Sequence, residues 1–276
     1  MPDISIILPA KRVVLWKNFY NSIERSFNGS WELIIITSEE LPMELKDKPN
    51  IRLIHSERSP LQKQQLGLVE SCGKYILSIS DDHLLLHDSL NKAYDLIKKE
   101  NYKTLIVMKY YEGHEFLYPD WHVQARPPYK TNYEFMRSRE YYLCHTHQSS
   151  KLPYIPEDAP ILSCALINRE LLIELGGWDC RFNGQAIANA DLAARLMRYG
   201  CHWILMEDVF SECGHMPGMT GDHGPLHYAQ VEEDEPLLKS IYSSPDSLER
   251  VRVSLHSYRD MPNTWKWRER KLPNAA

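Results

Sequence analysis

The stretch Gly73-Lys-Tyr-Ile-Leu-Ser-Ile-Ser-Asp-Asp-His-Leu-Leu-Leu, ending at Leu86, constrains the fold more than any other part of the chain. Tyr75 to Ile79 is a short apolar run behind a glycine, the pattern of a buried strand. It stops at two adjacent carboxylates, Asp81 and Asp82, followed by His83. In an α/β sheet, ligands bind in the crevice beyond the carboxyl ends of the strands, so acids there present oxygen atoms to that crevice. Hard oxygen ligands suit Mg²⁺ or Mn²⁺, ions that usually serve phosphate chemistry. An Asp pair also caps turns, and on these residues alone both readings stand.

The flanking segments set that strand in an alternating series. Ile4 to Leu8 is an apolar run stopped by Pro9, and Trp16, Phe19, Tyr20, Ile23 and Phe27 then recur at helical spacing. Leu33 to Ile36 and Ile51 to Ile54 read as further strands. Ser59-Pro-Leu-Gln62 is a helix start, with Ser as the cap, Pro in the first turn and Gln three residues on. That helix runs to about Cys72, with Gly73 as its C-terminal cap. Leu90, Ala93, Tyr94 and Ile97 mark another helix, and Leu105 to Met108 another strand. Alternation through residue 108 predicts an α/β fold, a mostly parallel sheet with helices on both faces. With 276 residues, 43% of them hydrophobic, the chain can bury a core of that size.

Residues 109–156 break the pattern and are rich in Tyr, Trp, His and Pro. Cys144, His145 and His147 carry ligand atoms, but no second cluster completes a tetrahedral zinc set at a familiar spacing. Ile161 to Ile167 then reads as a strand and Arg169 to Leu175 as a helix closed by Gly176-Gly177. Asp191 to Tyr199 reads as a helix, His202 to Met206 as a final strand, and Cys213-Gly-His215 enters a glycine-rich loop that ends at Gly224. From Pro225 a charged tail carries a helix near Ser247 to His256 and the run Trp265-Lys-Trp-Arg-Glu-Arg-Lys271.

A formal charge of −5 gives no reason to expect a nucleic-acid partner. No apolar run approaches membrane-span length, and the N-terminus lacks a basic-then-apolar signal pattern. The six cysteines are scattered without a disulfide framework, so a reducing cytoplasm is the expected compartment. Trp265 and Trp267 among Lys and Arg fit a peripheral membrane contact, a packed C-terminal segment or a homodimer contact.

The order of these landmarks resembles the family 2 glycosyltransferases of the GT-A (Rossmann-like) fold. The first strand with Pro9 is similar to that family's opening strand and nucleotide loop. Gln62-Lys-Gln-Gln-Leu-Gly-Leu68 before Gly73-Lys-Tyr-Ile-Leu77 resembles the lead into its acidic motif, and Ser80-Asp-Asp82 falls where it has Asp-x-Asp. Gly176-Gly-Trp-Asp179 followed by Asp191-Leu-Ala-Ala-Arg-Leu196 resembles its acceptor-side block. The resemblance spans roughly residues 3–215, with no family motif in 109–156. It implies a domain at 1–224, with a nucleotide-binding half at 1–108 and an acceptor-side half at 109–224, and an extension at 225–276.

It also implies an activity. A hexosyl group would pass from a nucleoside diphosphate sugar (UDP- or GDP-linked) to a glycan, lipid-linked or other hydroxyl acceptor, with inversion and with Mn²⁺ or Mg²⁺. Asp82 inherits the metal role, His215 completes the site with His223 as the fallback, and Asp81 lies near the ribose or diphosphate. Pro9, Ala10, Lys11, Arg12, Glu39 and Lys63 are the expected donor contacts, although cations on loops and helices are also simply solvated. Trp178 is placed to stack on a sugar face or to lie in the core.

Two positions depart from the family pattern. Ser80 replaces the first acid, and Ala188-Asn189 stands where the family has Glu-Asp. Its catalytic base is that Asp, and an amide cannot accept the acceptor's proton at neutral pH. Asp191, Asp179, Glu157 and Asp158 are the substitutes, while Asn189 also suits a helix N-cap with Asp191 in the first turn. A retaining enzyme or a non-catalytic GT-A module that binds a nucleotide sugar or glycan are the alternatives. A nucleotidyltransferase is disfavoured because the first loop lacks glycines to wrap a triphosphate.

Overall fold

A computed structural model describes residues 1–112, 152–156, 159–160, 162, 164–213 and 224–270. Eight strands form one sheet: β1 (Ile4–Pro9), β2 (Trp31–Thr37), β3 (Ile51–His55), β4 (Tyr75–Ser78), β5 (His83–Leu85), β6 (Thr104–Glu112), β7 (Ala165–Asn168) and β8 (His202–Cys213). Their order is β3-β2-β1-β4-β7-β6-β8-β5. β1–β2, β1–β4, β2–β3 and β6–β8 are parallel, whereas β4–β7, β6–β7 and β5–β8 are antiparallel. The sheet is therefore mostly parallel, and reverses direction where the chain returns through β7.

The helices are α1 (Val13–Ser26), α2 (Pro60–Glu70), α3 (Ser89–Ile97), α4 (Arg169–Leu175), α5 (Gln185–Arg198), α6 (Gly224–Ala229) and α7 (Glu235–Tyr242). Side chains of a strand alternate between faces, and here both faces are covered. Ile4, Ile6 and Leu8 of β1 share a buried cluster with Trp16, Phe19 and Ile23 of α1 and with Leu90 and Ala93 of α3. Ile7 faces the other way, into a cluster with Leu61 and Leu68 of α2 and Leu192 of α5. Leu238 and Tyr242 of α7 belong to that same cluster, so the C-terminal extension shares the core. Among the described residues no helix is long and apolar enough to cross a membrane.

The start of α2 forms as its sequence requires: the Ser59 hydroxyl accepts a hydrogen bond from the Gln62 N–H, and Pro60 occupies the first turn. Other boundaries differ. α2 stops at Glu70 with Ser71 as its cap, and Gly73 has another task. Its N–H donates to Ser5 Oγ at 2.7 Å. A Cβ there would stand 2.5 Å from the Ser5 backbone nitrogen. The glycine lets the entry to β4 press against β1, which is the pairing that brings the acidic pair to the first loop.

β6 and β8 run past the apolar stretches that announced them, because they pair with each other through a register irregularity around Lys109. β7 is shorter than Ile161–Ile167, and β5 was not anticipated. The helix expected near Ser247–His256 is only a 3₁₀ turn, Pro245–Glu249. Beyond it Val253 N–H donates to the Leu175 carbonyl at 3.0 Å, so that segment satisfies its backbone on a neighbouring element instead of along a helix.

Replacing Gly73 by Ala forces atoms into β1 and is expected to destabilise the fold by about 1–3 kcal/mol, the usual range for overpacking. Urea unfolding measures it; an unchanged midpoint would mean that β4 can slide away from Ser5.

Candidate functional site

In the order β3-β2-β1-β4 the chain runs one way from β1 and then jumps to its other side, which puts a crevice between the carboxyl ends of β1 and β4. Asp81 sits at that point and is 2% exposed. Its Oδ2 accepts hydrogen bonds from the backbone N–H groups of Lys11 at 2.8 Å and Arg12 at 2.6 Å, and from the Trp16 indole at 3.2 Å. Its Oδ1 takes the Arg12 guanidinium at 2.5 Å. Four donors on one carboxylate fix the β1–α1 loop against the end of β4. Asp81 thus positions Lys11 and Arg12.

Asp82 is also buried, and Ser80 Oγ donates to its Oδ1 at 2.5 Å. Arg12 lies 3.3 Å from its Oδ2, so one guanidinium bridges both acids. Ser80, one residue before the acidic pair, is therefore a partner of Asp82. β5 begins next and pairs antiparallel with β8, with His83 opposite Cys213 and Leu85 opposite Ser211. That register gathers ligand atoms of Asp82, His83 and Cys213 within 4.8 Å of one another, all three residues buried. His83 Nδ1 is 2.9 Å from Ser211 Oγ, a contact that fixes the ring. Burial pushes the His83 pKa down to about 4, against the opposing pull of Asp82, so the imidazole is neutral at ordinary pH and able to act as a ligand.

His83 and Cys213 were missed as site residues. A histidine directly after two acids was the available signal, but only the β5–β8 pairing brings the cysteine to it. His215 and His223 lie outside the described residues, as do Cys144, His145, His147, Glu157 and Asp158.

The other expected donor contacts gather beside the β1–α1 loop. Ala10 is buried after Pro9, and its N–H donates to the Ile36 carbonyl at 3.1 Å. Lys63 projects from the first turns of α2, half-buried. Burial first, then the positive charges of Arg268 and Lys11, push its pKa down to about 8, with Glu39 and Asp81 pulling the other way.

The acceptor-side block is organised differently from its sequence reading. α5 starts at Gln185 with Gly184 as its N-cap, so Asn189 and Asp191 both lie inside the helix. Asn189 caps nothing; its Oδ1 accepts from the Trp178 indole at 2.9 Å, and both residues are buried. Trp178 is in the core, its ring turned to Asn189 and its backbone N–H held by Gln65 Oε1 at 2.8 Å.

Asp191 is fully buried. Its Oδ2 meets Arg195 Nε at 2.8 Å, and its Oδ1 meets Arg250 Nε at 2.8 Å and the Tyr242 hydroxyl at 2.9 Å. Asp179 is held by Arg181 at 2.7 Å and by Arg250 at 2.5 Å. Burial raises both carboxyl pKa values, but the neighbouring arginines more than offset it and both end below the ordinary value. Each of these two acids is thus engaged by arginines in the folded chain.

No protein-family model and no curated protein sequence matches the chain. Solved structures do match its shape. TarS residues 1–349 of S. aureus superpose with a TM-score of 0.52 at 11% identity, over 94% of this chain and 87% of that one. The same protein in complex with UDP-GlcNAc gives 0.53 at 10% identity, over the same shares of both chains. The mannosyltransferase PcManGT from Pyrobaculum calidifontis, in complex with GDP-Man and Mn²⁺, gives 0.52 at 15%, over 90% of this chain and 64% of that one. Against the longer TarS chain the match spans 53% of its length. The fold is that of the GT-A glycosyltransferases.

Asp191→Asn leaves Arg195 buried without its anion and should destabilise the fold by about 3–5 kcal/mol, as removal of one partner of a buried pair does. Both acids have folded pKa values below the ordinary one. Their contribution is complete above about pH 4 and is lost as pH falls through the folded values. Melting temperatures measured between pH 3 and 7 should therefore converge at the acid end for the parent chain and Asp179→Asn. A constant gap would exclude the role given to Asp179.

Proposed function

We propose that this chain is a glycosyltransferase that takes a sugar from a nucleoside diphosphate donor bound in the β1–β4 crevice. The observation that carries this reading is Asp82, beside His83 and Cys213, at the switch point of a GT-A sheet and next to the cation-bearing β1–α1 loop. TarS in complex with UDP-GlcNAc and PcManGT in complex with GDP-Man and Mn²⁺ support it as relatives in fold.

The donor set fits a divalent ion. The Asp82 carboxylate suits Mn²⁺ or Mg²⁺, while an imidazole and a thiol tilt the set toward softer ions, so Mg²⁺ is the poorest match. Asp82 would hold the ion, with His83 and Cys213 as its neighbours. A bound ion would neutralise charge on the departing diphosphate. This chain's own residues supply the rest: Asp81 holds the first loop through the Lys11 and Arg12 N–H groups, the Arg12 guanidinium lies beside Asp82, and Lys63 adds a cation from α2.

Among the described residues, Asp179, Asn189 and Asp191 are each committed to a structural partner. That observation favours a second reading alongside inversion: a retaining transferase, or a module that binds a sugar nucleotide without turning it over. Release of UDP or GDP from the matching donors with Mn²⁺ separates these. Release is expected, with at least a hundredfold loss in Asp82→Ala, in line with removal of a principal stabiliser of transition-state charge. The anomeric form of the product then decides between inversion and retention. No release above the blank from either donor would leave the binding-only module.

A further inference from the structure

β5 is three residues long and stands last in the sheet order, paired with β8. Directly opposite residues of an antiparallel pair project to one face with Cβ atoms about 5 Å apart, close enough to grip one ion together. His83 and Cys213 are such a pair. Asp82 adjoins them from the turn before β5, and one ligand atom of each lies within 4.8 Å of the others, all three residues buried. The imidazole is placed by its surroundings. Its Nδ1 is 2.9 Å from Ser211 Oγ, and Tyr110 of β6 meets the ring edge-on at 5.1 Å between centroids. Cys164 Sγ, 4.0 Å from that nitrogen, is a second thiol beside the cluster.

Charge balance separates a hard-ion site from a thiolate one. Among the described residues the cluster holds a single carboxylate, Asp82, and the Arg12 guanidinium lies 3.3 Å from its Oδ2. Ser80 donates to its Oδ1. A carboxylate has about four lone-pair directions, so room for an ion remains. One shared negative charge nevertheless leaves a buried dication poorly compensated. Asp81 is committed to the β1–α1 loop, where Arg12 matches its charge. Cys213 makes up the deficit: as a thiolate it brings the second negative charge, its proton passing to solvent as the sulfur–metal bond forms. Carboxylate, imidazole and thiolate together suit zinc, whereas Mg²⁺ and Mn²⁺ favour oxygen throughout.

We propose that Asp82, His83 and Cys213 are direct ligands of a zinc-class ion, and that the Cys213 thiolate sets its identity. Three protein ligands leave a position open for an oxygen of the diphosphate. That task rests on the glycosyltransfer reading; the identity of the ion does not. The same ion would pin the short edge strand β5 to β8 through the opposed pair His83 and Cys213.

Affinity alone is no test, because Zn²⁺ outbinds Mn²⁺ at nearly any site of nitrogen, oxygen and sulfur ligands. The sulfur is the readout. X-ray absorption of the chain loaded with equimolar Zn²⁺, without donor, should show a sulfur shell at about 2.3 Å. Co²⁺ in its place should give a thiolate-to-metal charge-transfer band. Cys213→Ser should abolish both signals and weaken Zn²⁺ by about a hundredfold or more, the upper end of what losing even a ligand's outer partner costs. Cys164→Ser should keep both. A shell of nitrogen and oxygen alone in the parent overturns the proposal and needs no variant to fold. So does a sulfur signal that survives in Cys213→Ser, or one lost in a Cys164→Ser chain that circular dichroism shows to be folded. A sulfur shell in a chain that releases neither UDP nor GDP from its donors would overturn the glycosyltransfer reading and leave the metal assignment standing.

Discussion

Arg250 enters from the C-terminal extension and sits between two buried carboxylates, Asp179 on the turn after α4 and Asp191 in the middle of α5. Arg195 and Tyr242 complete the group from α5 and α7. A buried charge is tolerated only when its partners stay in place, so these segments are obliged to keep one relative geometry. Gly176, at φ 83, begins the turn that carries Asp179, and a side chain there would collide with the Val253 carbonyl. The extension is thus fastened by ion pairs and by close backbone contact at the same corner. The described residues beyond Arg250, including Trp265 and Arg268 where they meet Glu57, follow from that fixed point.

The β1–β4 end of the sheet is held on the same principle with a different anion. Asp81 gathers two backbone N–H groups, an indole and a guanidinium, and so converts a short loop into a rigid platform. Asp82, one residue later, faces β5 and β8 and keeps company with a neutral histidine and a thiol. Two adjacent acids of identical chemistry are thereby given unlike surroundings, one in the β1–α1 loop and one beside a histidine and a thiol. The division follows from strand pairing: β4 against β1 presents the first acid, and β5 against β8 surrounds the second.

Residues 1–108 were the legible part. Its strands are short apolar runs, α2 begins with a recognisable Ser-Pro cap, and each signal is local, so Ile4–Pro9 and the Ser59 cap fall where the residues say. The acceptor side was read less well for a physical reason. Asn189 and Asp191 have the composition of a helix N-terminus, but the helix extends back to Gln185 because Ile187 and Ala188 pack into the core. Tertiary burial outweighed local capping preference. The extension was misread in the same way: Val253 donates to the Leu175 carbonyl at the end of α4, and Val251 packs against the core, neither of which a local pattern encodes.

By itself the sequence determined the alternation of strand and helix, the acidic end of β4 and the crevice beside it, because burial periodicity and chain direction follow from neighbouring residues. Only the tertiary structure decided which partners each acid meets, since those lie tens to hundreds of positions away. Arg12 and Asp81 are separated by 69 residues, and Arg268 and Ser38 by 230. Charges are selected by what they meet in space, and the meeting is made by the sheet order and by the return of the C-terminal segment.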